Sequence, residues 1–202
     1  MVADALTHER EAWLAAGFVP GARIADIGCG PAIVLLELAK LIGSAGTVIG
    51  VERAPEARGV ATELAARQGF GNVRIVNGEA EATGLDPDSC DAIMMRHVLI
   101  HNGPRTSAIL AHVATRLRPG GCLYLVEADL SGWRIDPDDA DISECYERWF
   151  ELMRRRGNDI AIGPKLGRLM AWCNSGRATR EQQDAGSCDA PRWQFPSRLR
   201  TR

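Results

Sequence analysis

The residues best placed to do chemistry in this 202-residue chain begin in the run Arg23–Ala32, RIADIGCGPA. An apolar stretch ends there in Asp26, then turns through Gly28, Cys29 and Gly30. Glycines at such a turn bend the backbone sharply and let it come close to a ligand. Glu52 closes the next apolar run, GTVIGVE, with Arg53 directly after it. An acid at the end of a second strand, about 20 residues past a glycine turn, accepts hydrogen bonds from ribose hydroxyls. The pattern asks for a nucleoside-type cofactor.

These residues need a frame to hold them. Apolar runs at 23–27, 47–51, 73–76, 92–95 and 122–126 read as strands. Helical patterns lie between them at 31–41, 55–68 and 107–117, and another precedes them at 7–17. Pro119-Gly120-Gly121 is read as the stop of the last intervening helix. Strands alternating with helices predict an α/β fold, a doubly wound, mostly parallel sheet with helices on both faces. Continuous runs such as AIMM and LYLV fit burial from both sides. Asp26 with Gly28 and Gly30, Glu52, Gly78-Glu79 and Arg96-His97 then all fall at carboxyl ends of strands, the rim where such sheets bind ligands.

Composition narrows the alternatives. A net charge of -2 and 46% hydrophobic residues describe a globular domain with a real core, with no cue for a nucleic-acid or membrane partner. No apolar run approaches the roughly 20 residues that span a bilayer. The start lacks a signal-peptide pattern, so a cytoplasmic protein is expected. The six cysteines are scattered without a Cys-x-x-Cys pair, so no metal site is expected. Most are read as small buried hydrophobes. Cys29 stands at a helix start, where a thiol pKa can fall, although filling space in the turn is the favoured reading.

Four segments in order, ADIGCGPA, VIGVERAPE, NVRIVNGEAEATGLDPDSCDAIMMRHVLIH and LRPGGCLYLVE, resemble the class I S-adenosylmethionine-dependent methyltransferases. The likeness is strongest to the small-molecule branch that includes ubiquinone- and menaquinone-biosynthesis enzymes. It implies S-adenosylmethionine as cofactor and a small-molecule O, N or C nucleophile as acceptor. It implies a cofactor site of Asp26, Gly28, Cys29, Gly30, Glu52, Arg53, Glu79, Ala80, Arg96 and His97. In that pattern Glu52 takes both ribose hydroxyls, Glu79 the adenine amino group, the Ala80 N–H the ring, and the Arg96 carbonyl the cofactor's amino group. Ala32 stands where Gly is commoner, and Glu79 where Asp is commoner. The reaction demands no catalytic residue, because catalysis by alignment suffices. Should the nucleophile have to lose a proton, His97 is the first candidate base, with Glu127 and Asp129 behind it. His101 is read as a packing and capping residue, and His8 and His112 as surface positions.

Residues 1–173 are read as the methyltransferase domain, with a substrate-covering insertion at about 130–170. Within it, residues 142–156 form an amphipathic helix; its aromatic residues Tyr146, Trp149 and Phe150, with Trp133 before it, read mainly as core and otherwise as a wall for an apolar acceptor. A helix at 163–173 follows. The polar, Arg-rich stretch 174–202 is expected to be a disordered or non-native tail in place of two further strands. Strand five would then be an open edge, a route to aggregation or to a homodimer. Two other functions compete: an inactive or truncated cofactor-binding relative, and an NAD-dependent oxidoreductase. The second would want a glycine where Ile33 stands.

Overall fold

The computed structural model describes residues 9–133 and 139–170. The five apolar runs become strands β1 (Arg23–Ile27), β2 (Thr47–Glu52), β3 (Val73–Asn77), β4 (Cys90–Arg96) and β5 (Leu117–Val126). They form one parallel sheet in the order β3-β2-β1-β4-β5. The helices are α1 (Arg10–Ala15), α2 (Ile33–Ile42), α3 (Pro55–Arg67), α4 (Thr106–Ala114) and α5 (Ala140–Arg155). A 3-10 segment, Leu99–Arg105, joins β4 to α4.

Side chains of a strand alternate between faces, and here each face has its own core. Ile24 and Met94 pack with Trp13, Phe18, Leu35 and Leu38 on the side of α1, α2 and α3. Ala25, Ile27, Ile93 and Met95 pack with Leu99, Ile109 and Leu110 on the side of α4. The doubly wound α/β expectation holds. The strand order reverses between β1 and β4, which opens a crevice at their carboxyl ends. Among the described residues no helix is long and apolar enough to cross a membrane.

Two local expectations are corrected. α4 ends at Ala114 rather than 117, and Leu117 already pairs with Cys90. Pro119-Gly120-Gly121 therefore lies inside an irregular start of β5, where the register slips between Cys90 and Ala92. A Cβ at Gly121 would sit 3.0 Å from the carbonyl oxygens of Cys90, Asp91 and Arg118, so glycine lets the strands close there without displacing backbone.

The second correction concerns α5. Asp139 caps it, its Oδ1 accepting from the amides of Asp141 and Ile142 at 3.0 Å each. Past α5 the chain is tied down by Asp159 N–H to the Ile100 carbonyl and by Leu130 N–H to the Ile160 carbonyl, 2.8 Å each. Of α5 itself only Met153 is buried, while Trp149 is 43% exposed. Its aromatic residues are a surface cluster and not core. Gly163–Lys165 is a 3-10 turn followed by helical residues 166–170. The expectations for 171–202, including the missing strands, lie outside the described residues, as does His8. Among the described residues β5 is one edge of the sheet.

Candidate functional site

The glycine turn is built where β1 hands over to α2. The amides of Gly28 and Cys29 both donate to the Val51 carbonyl, at 2.7 and 3.2 Å, which ties the turn to β2. Gly28 and Gly30 have φ of +73° and +54°, a region glycine enters at little cost. Ala32 also takes φ +65° and is fully buried, so the departure from glycine is accommodated. Nothing lies within 4 Å of a Cβ built on Gly30, so the turn faces open space. Glu52 braces it from β2: Oε2 accepts from Gly30 N–H at 3.0 Å and Oε1 from Ala54 N–H at 2.8 Å. An ionised carboxylate has about four acceptor sites, so capacity remains for other donors.

The end of β3 adds the next part of the rim. Glu79 and Ala82 bridge back to back, their amides and carbonyls joined at 3.3 and 3.0 Å. Arg53 reaches Glu79 Oε2 at 3.6 Å in an exposed ion pair. Ala80 packs at the edge of the second core. Arg58 was not foreseen from the sequence. Its Nη1 donates to the carbonyls of Glu52 and Arg53, at 3.2 and 2.6 Å, and to Asn77 Oδ1 at 2.9 Å. It locks the ends of β2 and β3 together. The available signal was an arginine in the first turn of a helix that follows the ribose-type acid. His112 is likewise more than a surface residue. Its Nε2 lies 2.9 Å from Thr83 Oγ1 and 3.1 Å from the Thr83 amide, anchoring the loop after Glu79.

The end of β4 closes the crevice. The Arg96 guanidinium pairs with the Glu9 carboxylate, and Tyr124 Oη donates to that same carboxylate at 3.3 Å. This latch joins α1's leading residue to β4 and β5. Asp26 is 3% exposed, and burial pushes its carboxyl up to about 7; nearby Arg96 opposes the rise and Glu52 adds to it. His97 has φ +56°, a rare angle for a residue with a side chain. Its N–H donates to the Val126 carbonyl at 2.8 Å. Burial first, then Arg96, holds its imidazole pKa below the ordinary value. Val98 covers the glycine turn so closely that a Cβ on Gly28 would lie 2.6 Å from Val98 Cγ2.

Other candidates are reassigned. Burial, followed by Asp26 and Glu52, drives the Cys29 thiol upward, so it is an inert filler of the turn. Glu127 spends its carboxylate on the amides of Leu99 and Ile100, at 2.6 and 3.2 Å, as cap of the 3-10 segment. Asp129 is exposed and bonded to Ser131 N–H and Oγ. His101 is exposed rather than packed. Among the described residues no cluster of three or more His, Cys, Asp or Glu is placed to hold a metal.

The parallel sheet, its switch-point crevice and the ordered series of glycine turn, acid, acid and His agree with what comparison finds. Residues 24–121 match the methyltransferase domain family. That match, with the shared fold, supports a class I S-adenosylmethionine-dependent methyltransferase. It is similar to nocamycin O-methyltransferase of Saccharothrix syringae, 33% identical over 125 residues, covering 58% of this chain and 43% of that protein. It is 32% identical over 184 residues to an arsenite methyltransferase of Aquipseudomonas alcaligenes, covering 76% of this chain and 53% of that one. It thus spans about half the length of these curated relatives. A S-adenosylmethionine-dependent methyltransferase from Aquifex aeolicus shares the fold, with TM-score 0.58 at 20% identity over 67% of this chain and 72% of that one. Family and fold imply S-adenosylmethionine, and the residues present fit it: the open space over Gly30 and the spare acceptor sites of Glu52 adjoin each other.

Proposed function

We propose that this chain transfers a methyl group from S-adenosylmethionine to a small-molecule nucleophile. The observation that carries the reading is Glu52, whose carboxylate is fixed by two loop amides beside the open glycine turn at the switch point. A carboxylate so held is pre-oriented for two adjacent hydroxyl donors. Gly28, Cys29 and Gly30 would line the methionine part, with Asp26 and Arg53 supporting the loop ends. Glu79 and Ala80 would meet the adenine, and the Arg96 carbonyl the amino group. When bound, the cofactor supplies a methyl group on a sulfonium with a neutral thioether as leaving group.

The chain's own task is then alignment and water exclusion, which can supply several kcal/mol of the barrier. Where the acceptor must lose a proton, His97 is the group to take it. Its lowered pKa keeps the imidazole neutral near pH 7, as a base requires. The acceptor gains the methyl and its proton passes to His97, so charge balances. The strained φ of His97 marks a side chain held at this rim by its surroundings. The name of one relative specifies an oxygen acceptor and that of another arsenite, which is consistent with a small-molecule acceptor here too. Calorimetric titration with S-adenosylmethionine and with NAD, followed by an acceptor screen read as S-adenosylhomocysteine release, tests the proposal. Binding of the sulfonium cofactor alone, with release for one acceptor class, is expected. Absence of S-adenosylmethionine binding, or binding of NAD in its place, would overturn it.

A further inference from the structure

Helix α5 carries two apolar stripes where one would seat it. Tyr146, Phe150 and Met153 make the partly or fully buried one. Ile142, Cys145, Trp149 and Leu152 lie beside them and are exposed; the three large ones are 46, 43 and 45% accessible. These four recur at spacings of three, four and three residues, the a and d positions of a coiled-coil seam. Trp149 is fixed rather than loose. Its ring packs on Phe150 at 5.1 Å and edge-on against Tyr146 at 6.3 Å. Trp133, 46% exposed, stacks on Tyr146 at 5.2 Å and widens the apolar surface.

The charge along the same helix is polarised. Asp139, Asp141 and Glu144 occupy its start, and Arg154, Arg155 and Arg156 its end. Within the helix Arg148 already pairs with Glu144, and Arg154 and Arg155 with Glu151 at 3.5 and 2.9 Å. Among the described residues this leaves Asp141 and Arg156 without a side-chain ion pair. A second copy laid parallel would set like charges together. Laid antiparallel, it sets acids against arginines at both ends at once. Asp141 and Arg155 are two heptads apart on one flank of the stripe, which is where such cross-helix pairs form. This match singles out a second copy of the chain as the partner.

We propose that α5 forms a two-fold homodimer seam with its symmetry mate, antiparallel. Ile142 then packs against the partner's Leu152, and Cys145 against the partner's Trp149. The contact is isologous, using one patch twice, so it closes at two copies. It lies on α5 and not on the β5 edge that the sequence pointed to. One helix is a small seam beside the ~800 Å² per partner of a standard interface, so a concentration-dependent dimer is expected.

Sedimentation velocity on the full chain from about 1 to about 100 µM reads the result. The parent reaches twice the chain mass at the upper end. Trp149→Glu and Leu152→Glu stay monomeric with unchanged far-UV circular dichroism, because both sites are exposed in the protomer. Asp141→Arg weakens association about tenfold, and adding Arg155→Asp restores it. A parent that stays monomeric at the upper concentration overturns the proposal. So does a dimer indifferent to Trp149→Glu, or a charge swap that restores nothing. Loss of methyl transfer in Trp149→Glu with the mass unchanged would make the stripe an acceptor wall and equally refute it.

Discussion

Asp26 offers a test of the site's electrostatics that needs no substrate. Its carboxyl is 3% exposed, and burial lifts its pKa from 3.8 to about 7, against the pull of Arg96. A group whose pKa rises on folding contributes stability that is complete below its unfolded value and is lost as pH climbs through its folded value. Here that window runs from 3.8 to about 7. At about 1.36 kcal/mol for each tenfold change in proton affinity, the whole loss is about 4 kcal/mol. Most of it, roughly 3 kcal/mol, falls between pH 5 and pH 8. Asp26→Asn keeps the shape and removes the titration. Urea unfolding of parent and variant across this range, compared at each pH, isolates the single group. The variant should gain on the parent as pH rises and the gap should level off above about pH 7. A gap independent of pH would show that Asp26 ionises at its ordinary value. Arg96 would then fully offset burial, and Asp26 would be fully ionised at neutral pH rather than about half protonated.

The remaining predictions address the cofactor and the base. Glu52→Ala should weaken S-adenosylmethionine binding by about 2 kcal/mol, near 30-fold by calorimetry, because charge-assisted bonds are lost while water recovers part. It should also loosen the glycine turn, seen as faster amide exchange at Gly30. Gly28→Val should abolish cofactor binding and lower stability by about 1 to 3 kcal/mol, since a side chain there meets Val98 and a positive φ; equal affinity and melting temperature would reduce the turn to a simple joint. His97→Ala should lower kcat by roughly 10²- to 10⁴-fold with little change in S-adenosylmethionine affinity. The parent's rate should rise with pH through an inflection below the ordinary imidazole value, as its lowered pKa requires; full turnover with an unaltered profile would leave alignment alone to carry the reaction.

The parts of the site that could be read in the sequence are those whose partners are near in the chain. The turn at Gly28 and Gly30 and the acid Glu52 are separated by one helix, and right-handed crossover fixes where the second strand lands. Strand ends at Glu79 and His97 follow from the same alternation. What the sequence could not show is pairing set by the strand order. Glu9 and Arg96 lie 87 residues apart and meet because β4 lies next to β1, close to where α1 packs. Thr83 and His112 meet across 29 residues because α4 covers the face of the sheet below that loop. Residue type gave no sign of either, since glutamate, arginine and histidine on helices are usually solvated. Glu127 shows the opposite case: an acid past a strand end can be reactive or a cap, and the amides of Leu99 and Ile100 place it as a cap.

Helix α5 shows where periodicity stops being informative. Hydrophobic spacing states that a helix has an apolar face, and not what lies against it. An arc broad enough to include both Phe150 and Leu152 exceeds what one neighbour covers. Tyr146, Phe150 and Met153 form the partly or fully buried stripe, and Ile142, Cys145, Trp149 and Leu152 remain exposed. Among the described residues, the same surplus makes Cys145 the exposed cysteine where a buried one is expected. A stripe wider than its seat is therefore evidence in itself: the excess apolar width measures contact that the described protomer does not supply. In this chain the excess has coiled-coil spacing, the pattern that the proposed seam would use.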